Sequence, residues 1–258
     1  MSVRIFIATH KNYEMPLDDI YTPLEVGAAC RPSLGLKGVR DNTGFNISEK
    51  NPNYCELTGY FWLWKNFNET ENVGLVHYRR YLKGKKREPG KFGQLLSKKE
   101  IEELLKDYQV LLPRKRNYFI ESVRSQYIHA HHEKDLIALE NAIRNSCPTY
   151  LPSFKKVMDS KELHLLNMFV MKKKLFNEYC AWLFPLLEEV EKNLDISSYS
   201  KNDARVFGFL SERLFDVWLI QNKIKYYELP VLNLEPVNWP KKIFNFLLRK
   251  AGYKDFQK

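Results

Sequence analysis

His77, Tyr78, Arg79 and Arg80 close an apolar run (Val73, Leu75, Val76) that follows a polar turn over residues 68–72. Two guanidinium groups and an imidazole at the end of a buried strand are costly to desolvate unless an anion or a carboxylate meets them. Open α/β sheets bind ligands in the crevice at the carboxyl ends of their strands, so the pattern predicts a cationic cluster aimed at a ligand's phosphates. The competing reading is an edge strand that runs out into a solvated basic loop. A second apolar run, residues 108–112, stops at Pro113 and is tipped by Arg114, Lys115 and Arg116. Two such strands pointing the same way would form a positive pocket of phosphate size.

Other polar side chains stand where an α/β sheet places ligands. Thr9 and His10 follow a first strand over residues 3–8, and residues 40–48 form a loop dense in hydrogen-bonding groups. Glu56, early in an aromatic helix, either complements the helix dipole or turns inward toward Arg79 and Arg80. His129, His131 and His132 lie close together but lack metal-ligand spacing, which favours surface or acceptor-facing histidines over a metal site.

The elements that must hold these groups follow from periodicity. Asn51 and Pro52 predict an N-cap and first helical position for a helix ending near Asn66. Ser97 with Glu100 predicts a capping box opening a short amphipathic helix to about Asp107. Residues 121–159 read as mostly helical, 164–171 as a strand, 173–194 and 203–221 as amphipathic helices, and 225–234 as a last strand. After Pro240 the composition turns basic and amphipathic, which divides the chain into a domain over 1–240 and a tail over 241–258. The tail suits either an interfacial anchor on anionic lipid or a terminal helix docked on its own domain.

A chain of 258 residues with 44% hydrophobic and 14% aromatic side chains can bury a large core. No apolar run is long enough to span a bilayer, and the N-terminus lacks a secretory leader's pattern, so a cytoplasmic location is expected. The four cysteines contain no C-x-x-C pair, as expected of reduced thiols. A net charge of +10 calls for an anionic partner: nucleic acid, anionic lipid or a phosphorylated substrate. No zinc-finger spacing, aromatic-basic RNA string or glycine-rich phosphate loop supports nucleic acid.

Four strings carry a resemblance: residues 40–66 (RDNTGFNISEKNPNYCELTGYFWLWKN), 74–81 (GLVHYRRY), 167–173 (NMFVMKK) and 204–214 (ARVFGFLSERL). They resemble a bacterial family of capsular and exopolysaccharide glycosyltransferases formerly catalogued as a domain of unknown function, and the likeness runs from Ile5 to about Asn233. The resemblance implies an α/β, GT-A-like single domain: a central mixed, mostly parallel sheet flanked by helices, plus a helical C-terminal part. It implies transfer of a sugar, with galactofuranose or galactose as candidates, from a nucleotide-sugar donor to a lipid-linked oligosaccharide acceptor. The enzyme would sit at the anionic inner face of the plasma membrane. Candidate donor- and substrate-binding residues are Thr9, His10, Arg40, Asp41, Asn46, Asn51, Glu56, His77, Tyr78, Arg79, Arg80, Asn167 and Arg213. The family pattern D-D-T-G-D-N-I-S is altered here, Asn42 and Phe45 replacing two carboxylates. Members of the GT-A class typically carry D-x-D at the central strand's end, and this chain has no D-x-D. Metal-independent transfer is therefore expected, with Arg79 and Arg80 in the metal's role, Arg114, Lys115 or Arg116 as helpers, and a divalent ion still open. The acceptor proton needs a carboxylate base, for which Glu212 ranks ahead of Asp203 and Asp41. A non-catalytic basic module binding nucleic acid or anionic membrane is the alternative.

Overall fold

The computed structural model describes residues 2–236, so the tail expected to anchor the chain lies outside the described residues. Strands β1 (Val3–Thr9), β2 (Tyr21–Glu25), β3 (Val39–Arg40), β4 (Asn72–His77) and β5 (Arg80–Leu82) come from the first third of the chain. They are joined by helices α1 (Asn51–Tyr54) and α2 (Leu57–Asn66). Then follow α3 (Lys98–Asp107), β6 (Val110–Pro113), β7 (Arg116–Asn117), α4 (Val123–Ala130), α5 (Glu133–Ser146) and α6 (Leu151–Asp159). The chain continues through β8 (Glu162–Leu163), β9 (Phe169–Lys172), α7 (Lys173–Asn193), α8 (Val206–Gln221), β10 (Tyr226–Leu229) and β11 (Val231–Asn233).

Among the described residues nine strands form one mixed sheet, with the order β10-β6-β9-β4-β1-β2-β3 and with β5 and β11 added beside β4. β1 pairs in parallel with both β2 and β4, while β9 runs antiparallel to β4 and β6. β4 and β6 therefore point the same way, and the residues that follow each leave along one edge of the sheet. Two-residue alternation divides the core. Phe6, Val73, Leu75, Val110, Leu112, Phe169 and Met171 face a layer built from α2 and α4 to α8. Ile5, Ile7, Val76, Leu111 and Val170 face α3 and the segments around β5 and β11. Both faces are covered, which is why the central strands read as nearly continuous apolar runs. The result is a GT-A-like α/β sheet flanked by helices, with α7 and α8 forming the helical C-terminal part.

Four local expectations need correction. The helix expected over residues 51–66 breaks at Cys55, whose φ of 53° and ψ of −132° are not helical. Lys50, not Asn51, stands at the N-cap, and Asn51 braces the break by donating from Nδ2 to the Cys55 carbonyl at 2.7 Å and to Thr58 Oγ1 at 3.1 Å. The strand expected over 164–171 shrinks to β9, because Leu166 and Asn167 take left-handed φ values of 82° and 46°. The last strand is split at Pro230, which lacks the N–H needed to continue a ladder, and β11 turns back to pair antiparallel with β5. The final helix opens with a 3₁₀ turn at Asp203–Arg205 before α8. The capping box at Ser97 and Glu100 is formed as expected.

Candidate active site

The carboxyl ends of β1, β2 and β4 open into a cleft of about 610 Å³. Arg31, Arg79, Arg80, Lys201 and Arg205 line it against only two carboxylates, Glu56 and Glu212, so its fixed charge is positive. His10, His77, Tyr78 and Asn51 complete the walls that matter below. Arg79 and Arg80 thus share one cleft. Arg79 also donates to Glu235 Oε2 at 2.8 Å, in a pair exposed at 37% and 46%, which solvent weakens enough for an incoming anion to replace it.

His10 is at the centre of the positive cluster. Burial lowers its pKa first, and the charges of Arg31, Lys11, Arg79 and Arg205 lower it further. Arg80 is likewise lowered by burial and by Arg79. Arg31 Nη1 donates to the His10 carbonyl at 3.4 Å, while its Nε and Nη2 are buried with no hydrogen-bond partner among the described residues. Buried guanidinium nitrogens without acceptors are expensive, and a ligand bringing several anionic oxygens would supply what they lack.

The carboxylate side is built around the strained pair Leu166 and Asn167. The Leu166 N–H donates to Glu212 Oε1 at 2.7 Å, and His77 Nε2 donates to the Leu166 carbonyl at 2.6 Å, which fixes the His77 tautomer. Asn167 Nδ2 donates to Glu56 Oε1 at 2.7 Å and to the Gly208 carbonyl at 3.1 Å, and Ser211 donates to Asn167 Oδ1 at 2.7 Å. One left-handed turn therefore positions both cleft carboxylates. Left-handed backbone at a branched or amide side chain costs on the order of 1–3 kcal/mol and persists only where surrounding contacts enforce it. Replacing Asn167 by Ala is expected to lower stability by about 1–3 kcal/mol in chemical denaturation, because Gly208, Ser211 and Glu56 would lose a buried partner together. A change under about 0.5 kcal/mol would contradict that linking role.

Glu212 is 16% exposed and receives Arg213 Nη1 on Oε2 at 3.0 Å. Burial raises its pKa; Arg213 and the Leu166 N–H oppose this, Glu56 adds to it, and the net direction is upward. Arg205 donates from Nε to Cys55 Sγ at 3.2 Å. Burial foremost, with the Glu56 charge, pushes the Cys55 thiol up to about 11, so the thiol is neutral at physiological pH.

The remaining sequence candidates stand around the cleft and are not among its lining residues. Asp41 is fully buried and accepts from the Gly27 and Ala28 N–H groups at 2.7 and 2.9 Å and from Ser48 Oγ. Gly27 is left-handed with φ 67°, and a Cβ there would meet Asn51 Cγ at 2.4 Å, so this turn admits only glycine against the cleft wall. Arg40 braces the same turn through Glu25 at 3.3 Å and the Ala28 carbonyl at 3.0 Å. Asn46 closes its own loop on Gly44 and Ser48, and Thr9 on Lys11. Asp203 accepts from Ser200 and lies 3.2 Å from His131 Nδ1; burial raises its pKa, but Ser200, His131 and His132 outweigh that and hold it low. Arg213 bonds the Phe209 carbonyl, Glu212 and Gln126. Lys115 lines a different cavity, beside Asp216 and Tyr226. His131 and His132 both approach Asp203, at 3.2 and 3.7 Å, and stack on Phe209 and Tyr199, while His129 pairs with Glu121, so the three histidines do not share one site. Among the described residues no three His, Cys, Asp or Glu side chains gather as a metal site would require.

Sequence reasoning missed Arg31, Lys201 and Arg205. Arg205 lies inside one of the strings that carried the resemblance, yet its place just before a helix reads as an ordinary exposed charge. Arg31 sits in a Gly/Pro-rich loop whose course no periodicity predicts.

A GT-A-like sheet with a cationic cleft at the carboxyl ends of its parallel strands defines the class of domain. Residues 4–223 match the family described as "Domain of unknown function (DUF4422)", and the chain belongs to that family. A solved structure of WbbM, described as a bifunctional glycosyltransferase in its apo form, is similar to it with a TM-score of 0.82 and 29% sequence identity. That similarity covers 92% of this chain and 46% of the WbbM chain, so the present chain spans less than half of that protein. No curated protein matches the chain. Among the described residues no helix is long and apolar enough to cross a membrane.

Proposed function

We propose that the chain is a glycosyltransferase that uses a nucleoside diphosphate sugar and hands the sugar to a lipid-linked oligosaccharide, in capsule or exopolysaccharide synthesis, at the cytoplasmic face of a membrane. Galactose or galactofuranose is the sugar favoured by the family resemblance. The observation that carries the reading is the charge of the cleft: five cationic side chains, one with two buried unpartnered nitrogens, face two carboxylates at the sheet edge. The similarity to a bifunctional glycosyltransferase supports the same class of reaction.

In this scheme the donor's diphosphate lies against Arg79 and Arg80, with Arg31, Lys201 and Arg205 around it. Glu212 takes the proton of the acceptor hydroxyl as that oxygen bonds to the anomeric carbon. The bond from the anomeric carbon to the diphosphate oxygen breaks, and its electron pair leaves with the diphosphate. Charge growing on the leaving group is met by preorganised guanidinium groups, which favours the transition state over the bound donor. Glu56, fixed by Asn167, is placed to accept hydrogen bonds from the donor sugar's hydroxyls. The groups following β4 are cations, which repel a divalent ion, so the donor set does not fit a metal and no step is routed through one.

The test is a screen of nucleotide sugars for transfer or donor hydrolysis with EDTA present. One donor is expected to turn over at a rate that chelation leaves unchanged. Strict dependence on Mn²⁺ or Mg²⁺ would refute the metal-free scheme. Inactivity toward every donor, with salt-sensitive DNA binding instead, would favour a non-catalytic basic module.

A further inference from the structure

We propose that Phe119 and Ile120 form a membrane-docking tip that inserts at the surface of an anionic bilayer. Phe119 is 75% exposed and Ile120 51%, whereas the adjacent Tyr118 is buried at 5%. The backbone throws the pair outward by force: Phe119 has a φ of 55°, which an aromatic residue adopts at a cost. That conformation is held, with the Phe119 N–H on Asn117 Oδ1 and the Ile120 N–H on the Tyr118 carbonyl, both at 2.6 Å, and the Tyr118 N–H on the Lys161 carbonyl at 2.8 Å. A loop that only joined two elements would gain nothing from strain that presents two large apolar side chains to water.

Charge selects the partner. Arg114, Arg116 and Lys161 are exposed beside the tip, whereas Lys115 turns away, over the Tyr226 ring. On the acidic side Glu162 is exposed and accepts from Asn117 Nδ2 at 3.0 Å, and Glu121 is buried against His129, so three exposed cations stand against one exposed carboxylate. Apolar side chains ringed by cations match the interface of a bilayer rich in anionic lipid, where each nearby Lys or Arg adds attraction. Placement gives the contact a use. The segment leaves β6 along the sheet edge that also carries residues 77–80, and the charges of Arg213 and Glu212 act on the Tyr118 phenol. Docking here would hold a lipid-borne acceptor beside the proposed base, so the inference deepens the reading given above and rests on it for its purpose.

The experiment uses the full chain with vesicles of phosphatidylcholine alone or mixed with phosphatidylglycerol. Wild type is expected to bind the mixed vesicles, and the Phe119→Ser/Ile120→Ser double variant to bind them at least about tenfold more weakly, since even partial insertion of two apolar side chains is lost. In Phe119→Trp, the added indole should shift to the blue and be quenched by brominated acyl chains beyond the response of the wild type's five tryptophans. Equal binding by the double variant, absence of that added quenching, or failure of wild type to bind the mixed vesicles would each overturn the proposal. The first two results would indicate attachment through another surface, such as residues 241–258, or a protein partner on the tip. Donor hydrolysis without vesicles should be the same in the double variant and wild type. If wild type hydrolyses no nucleotide sugar, the proposed reaction fails while the vesicle results still decide the docking surface.

Discussion

Replacing Arg80 by Ala is expected to lower kcat for sugar transfer about 10²–10³-fold, and replacing Arg79 somewhat less, with the fold intact. Arg80 is half-buried in the cleft wall and its backbone pairs with His77 and Asn233, so the ladder survives loss of its side chain. Arg79 would release its exposed pairing with Glu235 and its contact over the Tyr78 ring at 5.0 Å, together worth about 1 kcal/mol to stability. Because charge builds on the diphosphate during bond breaking, the loss should fall on kcat at least as heavily as on KM. Steady-state kinetics of each variant, with melting temperatures as the control for folding, provide the check. Wild-type turnover in both variants would remove these residues from the reaction.

Glu212→Gln should have an effect of similar or greater size, about 10²–10⁴-fold on kcat, with the variant still folded at the assay temperature. The amide oxygen can still accept from the Leu166 N–H, but the amide nitrogen then faces Arg213 Nη1, which loses its carboxylate partner, so a fall in melting temperature accompanies the loss of rate. The sign of the pH dependence follows from the same environment. A base works when deprotonated, and Glu212 holds its proton to a higher pH than the ordinary glutamate value of 4.5. Activity should therefore fall as pH drops through that raised value, and the acid limb of kcat/KM should vanish in Glu212→Gln. Glu56→Gln should act mainly on KM, since Glu56 is cast as a contact to the donor sugar. If Glu56→Gln instead removes the acid limb while Glu212→Gln keeps it, the two roles must be exchanged.

Much of this architecture is legible from residues alone. β1 and β4 announce themselves as apolar runs because both of their faces are covered, and α7 and α8 show the helical stripe that packs on the sheet. Glycine, proline and capping residues mark most boundaries. Local pattern fails at Cys55 and at Leu166 and Asn167, where three non-glycine residues adopt left-handed backbone. The Leu166 and Asn167 conformations are held from far along the chain, by Glu212 and Gly208, while Cys55 is braced by the side chain of Asn51 four residues before it; no propensity encodes such contacts. Those same departures position Glu56 and Glu212 in the cleft.

The cleft itself is only partly readable. The pair Arg79 and Arg80 stands out because cations at the end of an apolar strand are anomalous. Arg31, Lys201 and Arg205 do not, since each occupies a loop or helix start where a charge is ordinary. Their convergence comes from the parallel strand order, which brings loops separated by well over a hundred residues to one edge. Burial is equally hard to read from sequence. Asp41, a donor-binding and base candidate by sequence, is buried with its carboxylate on the Gly27 and Ala28 amides, where it shapes the turn that supports the wall.

In the reaction proposed above, the cleft's arginine and lysine side chains hold a nucleoside diphosphate without a metal ion. Calorimetric titration of UDP, GDP and UMP into metal-free protein in EDTA, for wild type and an Arg79→Ala/Arg80→Ala double variant, measures it directly. One diphosphate is expected to bind wild type at least about tenfold more tightly than the monophosphate does, and the double variant to lose this preference. Binding that appears only when Mn²⁺ or Mg²⁺ is restored, or a preference that survives in the double variant, would contradict it.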